Sequence, residues 1–333
     1  MGFVSLRTGE PSMLPKARTS LVRLRLAMLG TLAAITGLAT LVLMAILSWL
    51  KFPFLNLYTV LGIVVAFHVL QWLIAPYIIN AIYRVRPLEA HEYPWLHDAV
   101  SRISAVSGLN VKPKLMLAEI DLPNAFAYGS PITGNFVAVT RGLLSTLPRE
   151  EVEAVVGHEL GHVKHKDVMF MMAISIIPAL IYYIGHTLYY SGWLGSMSRD
   201  QRNGGGALLV LIGVGLMALS FIFNLFVFYF SRLREYYADS HAAISVQNGA
   251  KNLQRGLVRI MSASGRIRKD KVASYTQMKA LFIADPEVSV RGYADIDALV
   301  ERIKSEKPSI LMELFSTHPH PAKRLRHLDA YVA

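Results

Sequence analysis

The sequence is organised around the stretch Val155-Val156-Gly157-His158-Glu159-Leu160-Gly161-His162, an H-E-x-x-H motif. In a helix, His158 and His162 lie one turn apart, about 40° from each other around the axis, so both imidazoles can reach one metal ion. Glu159 falls beside that face, where its carboxylate can hold a water molecule on the metal and take its proton. The motif therefore predicts a metal-dependent hydrolytic centre. The alternative interpretation is a pair of buried, hydrogen-bonded histidines.

The residues before the motif favour a helix. Pro148 suits a first helical turn, and Glu150 and Glu151 complement the positive end of the helix dipole. The chain has no cysteine, so disulfides and thiolate metal sites are excluded. A metal would therefore be held by imidazole and carboxylate groups, which is typical of catalytic zinc, and we expect one zinc ion per chain.

Hydrophobic residues make up 53% of the 333 residues, and they are concentrated in long stretches. Four stretches contain no Asp, Glu, Lys or Arg, and each exceeds the length of about 20 residues that crosses a bilayer: 26–50, 52–83, 168–198 and 203–231. We expect four transmembrane helices in a multi-pass protein of the cell membrane. The first is expected to be a retained anchor rather than a cleaved signal, with both chain termini in the cytoplasm.

The net charge of +11 comes from basic residues that lie mostly beside these stretches and in the C-terminal part. This arrangement favours contact with anionic lipid and orientation by the positive-inside rule over binding of nucleic acid, since no aromatic and basic residues interleave. The four stretches carry no paired charges, which argues against a transporter or channel.

The remaining residues divide into two polar blocks. We predict residues 1–86 as the N-terminal segment with two spans, 87–167 as the first catalytic block, 168–231 as a membrane hairpin and 232–333 as the second catalytic block. In the first block, Lys114 to Ile120, about Ala125 to Tyr128, and Phe136 to Thr140 read as short strands. The segment Asn124-Ala125-Phe126 is predicted as an edge that pairs with an extended peptide substrate, or else as a plain structural hairpin.

A catalytic zinc site with two histidines needs a third protein ligand. Residues 168–198 offer no carboxylate, and His165 stands where a longer H-E-x-x-H-x-x-G-x-x-H motif needs glycine. We interpret His165 as a solvated or headgroup-facing residue, because three donors along one helix ridge cannot surround a tetrahedral ion.

The next candidates follow the fourth span. Glu235 and Asp239 are spaced i, i+4 and share a helix face, so Glu235 can be the third ligand and Asp239 an acceptor that fixes the tautomer of a ligand histidine. Two intervening spans return Glu235 to the membrane side where the motif ends. The alternative is that both acids balance Arg232 and Arg234 at the surface.

At this point the chain resembles the HtpX-type membrane zinc metalloproteases, relatives of the CAAX prenyl endoproteases. The matching pieces, in family order, are Asn124-Ala125-Phe126-Ala127, Val139-Thr140-Arg141-Gly142-Leu143-Leu144, the H-E-x-x-H motif, Arg234-Glu235 with Ala238-Asp239, and Ser316-Thr317-His318-Pro319 with Arg324. Together they span roughly residues 110 to 325, so the joint match is far more specific than any single piece.

The resemblance implies zinc held by His158, His162 and Glu235, with Glu159 as the general base. It also suggests that His318 stabilises the oxyanion, although His320 is a nearby alternative for the inward-facing histidine. Arg324 is predicted to pair with Asp239 and to clamp the C-terminal segment over the site.

The predicted fold class is a predominantly α-helical membrane protein with four transmembrane helices and a cytoplasmic α+β gluzincin-like metalloprotease domain with a small β-sheet. The resemblance implies endopeptidase action on misfolded or damaged membrane proteins, as part of a stress response. Membrane-protein or unfolded polypeptides are the expected substrates, and the bilayer is the expected partner. The alternatives are a processing protease for lipidated or specific C-termini, and a catalytically idle metal-binding scaffold or chaperone, against which Glu159 argues because a structural metal needs no base.

Overall fold

The computed structural model describes residues 54–197, 205–264, 283 and 295–332. The first predicted span, 26–50, lies outside these residues. The elements, in chain order, are α1 (Phe54–Ile82), β1 (Val85–Pro87), α2 (Pro94–Val106), β2 (Lys114–Ala118), β3 (Ala125–Ser130), β4 (Gly134–Thr140), α3 (Arg141–Thr146), α4 (Arg149–Lys164), α5 (Asp167–Met197), α6 (Gly205–Ser245), α7 (Gly249–Ser264), α8 (Ile296–Ser305), α9 (Ile310–Leu314), α10 (Pro321–Leu328) and a closing 3₁₀ turn (Asp329–Tyr331).

The four strands form one mixed sheet in the order β1-β2-β4-β3. Strand β2 runs parallel to β4, while β1 and β3 pair antiparallel with β2 and β4 respectively. The three predicted strands are confirmed as β2, β3 and β4, and the short β1 was not predicted. Strand β3 pairs only with β4, so it lies at one edge of the sheet within the described part of the chain.

The sheet packs on both faces because side chains alternate along each strand. Val137 and Val139 join the main core, which the sheet shares with α2, α4 and α7. Phe126 and Tyr128 face the other way and pack against Tyr83 at the end of α1. Helix α4, which carries the H-E-x-x-H motif, is therefore buried between the sheet and the helices that follow it.

Helices α5 and α6 form an antiparallel hairpin. Among the described residues they are the two helices long and apolar enough to cross a membrane, over Asp167–Gly195 and Gly205–Ser245. Helix α1 covers most of the second predicted span. Helix α5 covers nearly all of the third predicted span, since it continues to Met197. The class is therefore mostly helical with a small mixed sheet, as predicted.

Helices α4 and α6 approach closely where α4 carries glycine. A Cβ atom on Gly161 would lie 3.1 Å from both the Cα of Ala238 and the Cβ of His241, and one on Gly157 would lie 2.6 Å from a methyl group of Val246. The two helices of the predicted metal ligands therefore meet through small residues, which brings their side chains within reach of one ion.

Candidate metal and catalytic site

Helix α4 begins after Pro148, with Glu150 and Glu151 in its first turn, and it presents two histidines one turn apart. His158 Nε2 lies 3.1 Å from His162 Nε2. From α6, the two carboxylate oxygens of Glu235 lie 3.7 Å from His158 Nε2 and 3.5 Å from His162 Nε2. One ligand atom from each of the three residues lies within 4.8 Å of the others, so the structure brings the three predicted ligands together.

Two carboxylates contact the candidate ligand histidines at Nδ1, the ring nitrogen that does not face the other candidate ligands. Asp239 Oδ1 lies 2.9 Å from His158 Nδ1, and Asp167 Oδ2 lies 2.5 Å from His162 Nδ1. A carboxylate beside Nδ1 keeps the imidazole proton on that nitrogen, which leaves Nε2 with a free electron pair. Burial also lowers the pKa of His158 to about 4, so that ring is neutral near pH 7.

This donor set fits a metal ion. With their protons on Nδ1, the two Nε2 atoms would direct electron pairs at each other across 3.1 Å beside the carboxylate of Glu235, an arrangement that a cation relieves. Two ligands of a tetrahedral zinc ion lie about 3.3 Å apart when each bond is about 2.0 Å. The two Nε2 atoms, 3.1 Å apart, are close to that value, and each has one oxygen of Glu235 at 3.5 or 3.7 Å.

Glu159 is positioned by the edge strand. Its side chain is buried beside the ligand cluster, and its Oε2 accepts a hydrogen bond of 2.8 Å from the backbone N–H of Ala127 in β3. Burial raises the pKa of Glu159 to about 7, with the negative charge of Glu235 adding to the effect of burial. A carboxyl group with a pKa near neutrality can both accept and return a proton, which is what a general base that later acts as an acid requires.

The C-terminal segment places one histidine and one arginine at the cluster. His318 Nδ1 lies 3.4 Å from Glu235 Oε2, and neither ring nitrogen of this half-buried histidine makes a hydrogen bond to another described group. Arg324 Nη1 lies 3.3 Å from the same oxygen, and Arg324 also pairs with Asp239. His320 does not reach the cluster, because its Nδ1 accepts from the N–H of Ala322 at the start of α10.

The predicted substrate edge is buried at its side chains. Asn124, Ala125 and Phe126 are each at most 2% exposed. The backbone N–H of Asn124 donates to Thr140, and its side-chain oxygen accepts from the N–H of Ile283. Any pairing with a peptide would therefore use the outer backbone edge of β3, and substrate binding there stays a prediction.

Two functional neighbours were not found from the sequence. Asp167 contacts His162, and its Oδ2 also lies 3.0 Å from Nε of Arg234. Together the two residues connect the start of α5 to the C-terminal third of α6. The interpretation of His165 as fully solvated is wrong, because this half-buried ring packs against Tyr237 and its Nδ1 contacts the carbonyl oxygen of Gly161. The alternative, a residue that faces lipid headgroups, stays a prediction.

Cavities border the site on two sides. One, of about 350 Å³, lies between β3, α1 and the start of α5, and its lining includes Trp72, Ala127, His162 and Met169. Another, of about 600 Å³, lies beside the C-terminal segment, and its lining includes His318 and Arg324. The arrangement therefore combines a metal-ligand cluster, a buried carboxyl group and an exposed approach, which together suit hydrolysis of a bound chain.

Comparison with known proteins gives the same class of enzyme. The family model of peptidase family M48 matches residues 90–332. A protease HtpX homolog of Aeropyrum pernix is 46% identical over 264 residues, covering 78% of this chain and 81% of the relative. One from Thermoplasma volcanium is 37% identical over 322 residues, covering 95% and 98%. The crystal structure of S. mikatae Ste24p superposes with a TM-score of 0.52 at 18% identity, covering 93% of this chain and 67% of that one, which shows a shared fold.

Proposed function

The chain belongs to peptidase family M48 and is a membrane metalloprotease, and from this premise we propose that it is a zinc-dependent endopeptidase that cuts membrane proteins, misfolded or damaged ones above all. The observation that carries the proposal is the convergence of His158, His162 and Glu235, each within reach of one ion, beside the buried carboxyl group of Glu159. A purely structural metal site would have no use for that carboxyl group.

The proposed ion is zinc, one per chain. Two imidazoles and a carboxylate without thiolate ligands form the donor set of many catalytic zinc sites, in which a fourth position is left for water or substrate. When bound, zinc would supply a Lewis acid and would lower the pKa of a water molecule at that position.

The protein groups supply positioning and proton transfer. Glu159 accepts the proton of the attacking water, while the N–H of Ala127 holds its Oε2 in place. His318 is proposed as the donor that stabilises the negative charge developing on the carbonyl oxygen of the substrate, and its position 3.4 Å from Glu235 Oε2 supports this role. Asp239 and Asp167 keep the ligand imidazoles in one tautomer and orientation throughout.

We also propose four membrane spans with the active site in the cytoplasm. Support comes from the four uncharged stretches of the sequence and from the salt bridge between Asp167 and Arg234, which closes the α5–α6 hairpin on the side of the metal ligands. The chain lacks cysteine, so single cysteines can test this topology in intact cells. We expect a membrane-impermeant maleimide to label Arg202→Cys from outside and to leave Val111→Cys unlabelled until the cells are opened; the reverse pattern contradicts a cytoplasmic site.

The proposed activity is tested with the purified full chain in lipid nanodiscs, with zinc supplied. The substrates are fluorescein-labelled casein and a destabilised membrane protein reconstituted in the same discs. We expect wild type to cut both, Glu159→Gln to bind zinc without cutting, and Glu235→Ala to lose zinc binding and cutting together. Glu150→Gln, at an exposed position of the same helix as Glu159, is the matched control and should cut like wild type.

The outcomes separate the proposal from its alternatives. Cutting of the membrane protein that is abolished by Glu159→Gln supports the endopeptidase. If the wild-type protein binds zinc but cuts neither substrate faster than Glu159→Gln does, the proposed substrate class is contradicted. The remaining functions are then a processing protease with a narrow specificity and a metal-binding scaffold.

A further inference from the structure

Helix α9 exposes apolar side chains where a soluble surface helix would expose polar ones. Three consecutive residues are mostly exposed: Ile310 at 85%, Leu311 at 68% and Met312 at 77%. Leu314 and Phe315 extend the same surface and are 39% and 50% exposed. Five large apolar residues therefore face outward within six positions, with none of them buried in the protein.

The polar groups of the same segment turn toward the protein. The carboxylate of Glu313 pairs with Lys323 on α10. The carbonyl oxygen of Ser316 accepts a hydrogen bond of 2.5 Å from Arg232, and the hydroxyl of Ser316 donates to the carbonyl oxygen of His318. The polarity of this segment is thus the reverse of that of a helix in contact with water.

The segment also lies beside the apolar part of a candidate membrane helix. The ring of Phe315 is 6.1 Å from that of Phe221 on α6. Phe221 precedes Arg232 by 11 residues, about 16 Å along the helix axis, so the ring of Phe315 lies beside the uncharged part of α6. Phe221 is itself 53% exposed, so the outward surface of α9 continues the apolar surface of α6.

We propose that α9 and Phe315 insert into the lipid bilayer as an interfacial segment. The occupant of the exposed surface is lipid hydrocarbon, because the surface is continuous with that of a helix long and apolar enough to cross the membrane. The exposed Lys307 before the segment suits the anionic headgroups at its edge.

The insertion would place the active site at the lipid boundary. Only Ser316 and Thr317 separate Phe315 from His318, and Met312 and Phe315 line the same cavity of about 600 Å³ as His318 and Arg324. A chain leaving the bilayer beside α9 would enter that cavity directly. This consequence rests on the proposed endopeptidase function, whereas the contact of α9 with lipid does not.

The test uses site-specific fluorescence. In the Glu159→Gln background, single cysteines replace Leu311 on α9, Leu211 on α6 and Val111 in the first catalytic block, all at least 68% exposed. Each is labelled with an NBD fluorophore, and the full chain is reconstituted in vesicles of phosphatidylcholine and phosphatidylglycerol. Because the measurement needs no catalysis, failure of the proposed function would leave its outcome intact.

We expect the probe at position 311 to behave like the probe at 211: emission shifted to the blue, strong quenching by doxyl groups on the lipid chains, and loss of quenching by aqueous iodide. The probe at 111 should show the opposite. If position 311 is quenched by iodide as strongly as position 111, the proposal is overturned. It is also overturned if the probe at position 311 is protected from iodide but is not quenched by the doxyl lipids, and if this protection disappears when the protein is diluted by fusion with empty vesicles. A second copy of the chain, and not lipid, would then cover the surface.

Discussion

Arg324 binds the carboxylate of Asp239 through two hydrogen bonds, of 2.9 Å from Nε and 2.6 Å from Nη2, and both side chains are buried. The same carboxylate lies 2.9 Å from Nδ1 of His158. This bidentate ion pair therefore joins α10 to α6, and the contact of Asp239 with His158 extends the link to α4. Because the pair is buried, water cannot replace either charged partner, so a change in the position of one side chain leaves the other without its hydrogen bonds.

Removing only the arginine should destabilise the fold strongly. Arg324→Ala leaves the buried Asp239 carboxylate without its cationic partner and with the neutral His158 ring as its remaining contact. This costs about 3–5 kcal/mol of the free energy of unfolding, and the double variant with Asp239→Asn should recover part of that loss. Thermal unfolding in detergent measures both. Arg326→Ala, on the same helix but exposed and hydrogen-bonded to the carbonyl oxygens of Lys304 and Glu306, is the control. Equal effects of the Arg324 and Arg326 variants would contradict the assignment.

Asp167→Asn should weaken zinc binding without removing a ligand. The carboxylate lies 2.5 Å from His162 Nδ1, and partners of this kind change metal affinity about 10–100-fold when replaced. Competition with a fluorescent chelator measures the affinity directly. Glu150→Gln removes an exposed charge from the first turn of α4 and should leave the affinity unchanged. An unchanged affinity in Asp167→Asn would mean that this carboxylate only anchors Arg234.

The grouping of His158, His162 and Glu235 could be predicted because its signals are local. The spacing of His158 and His162, and of Glu235 and Asp239, is one helical turn in each case, and helical geometry alone places each pair on a common face. The two long uncharged stretches between the pairs return the chain to the same side. Alternation and turn residues likewise located β2, β3 and β4.

The missed residues depend on features that carry no local signal. Helix α4 ends at Lys164, and Lys166 adopts a positive φ of 54°, which turns the chain so that Asp167 faces back toward His162. A lysine gives no hint of that conformation, since glycine or asparagine usually occupies it. The environment of His165 was missed for a related reason: Tyr237, which covers it, arrives from a helix 72 positions later in the chain.

Gly161→Ala should damage the site through packing. A Cβ atom there would lie 3.1 Å from Ala238 and His241, so α4 and α6 must separate by a few tenths of an ångström. We expect a net loss of about 1–3 kcal/mol of stability and weaker zinc binding, although alanine favours a helix by about 1 kcal/mol. Gly215→Ala on α6 meets no atom within 4 Å and should be neutral or stabilising in the same unfolding assay. Effects of the same sign and size at both positions would exclude close helix packing as the cause.

His318 and His320 should separate into a catalytic and a structural role. His318 faces Glu235 with both ring nitrogens unbonded to other described groups, so His318→Ala is expected to lower kcat about 10²–10³-fold, as removal of an oxyanion donor does. Zinc affinity and KM should change little, because the three ligands remain and the residue acts mainly in the transition state.

His320 gives the matched control two positions away. Its Nδ1 accepts from the N–H of Ala322 and caps α10, so His320→Ala should lower stability by about 0.5–2 kcal/mol and leave kcat nearly unchanged at a temperature where the protein is folded. Steady-state kinetics and a zinc titration on both variants distinguish the two roles. If His318→Ala instead lost zinc while its metal-loaded fraction kept the wild-type kcat, His318 would be a positioning residue for Glu235. Another group would then have to be the oxyanion donor, and Arg324, 3.3 Å from Glu235 Oε2, would be the next candidate.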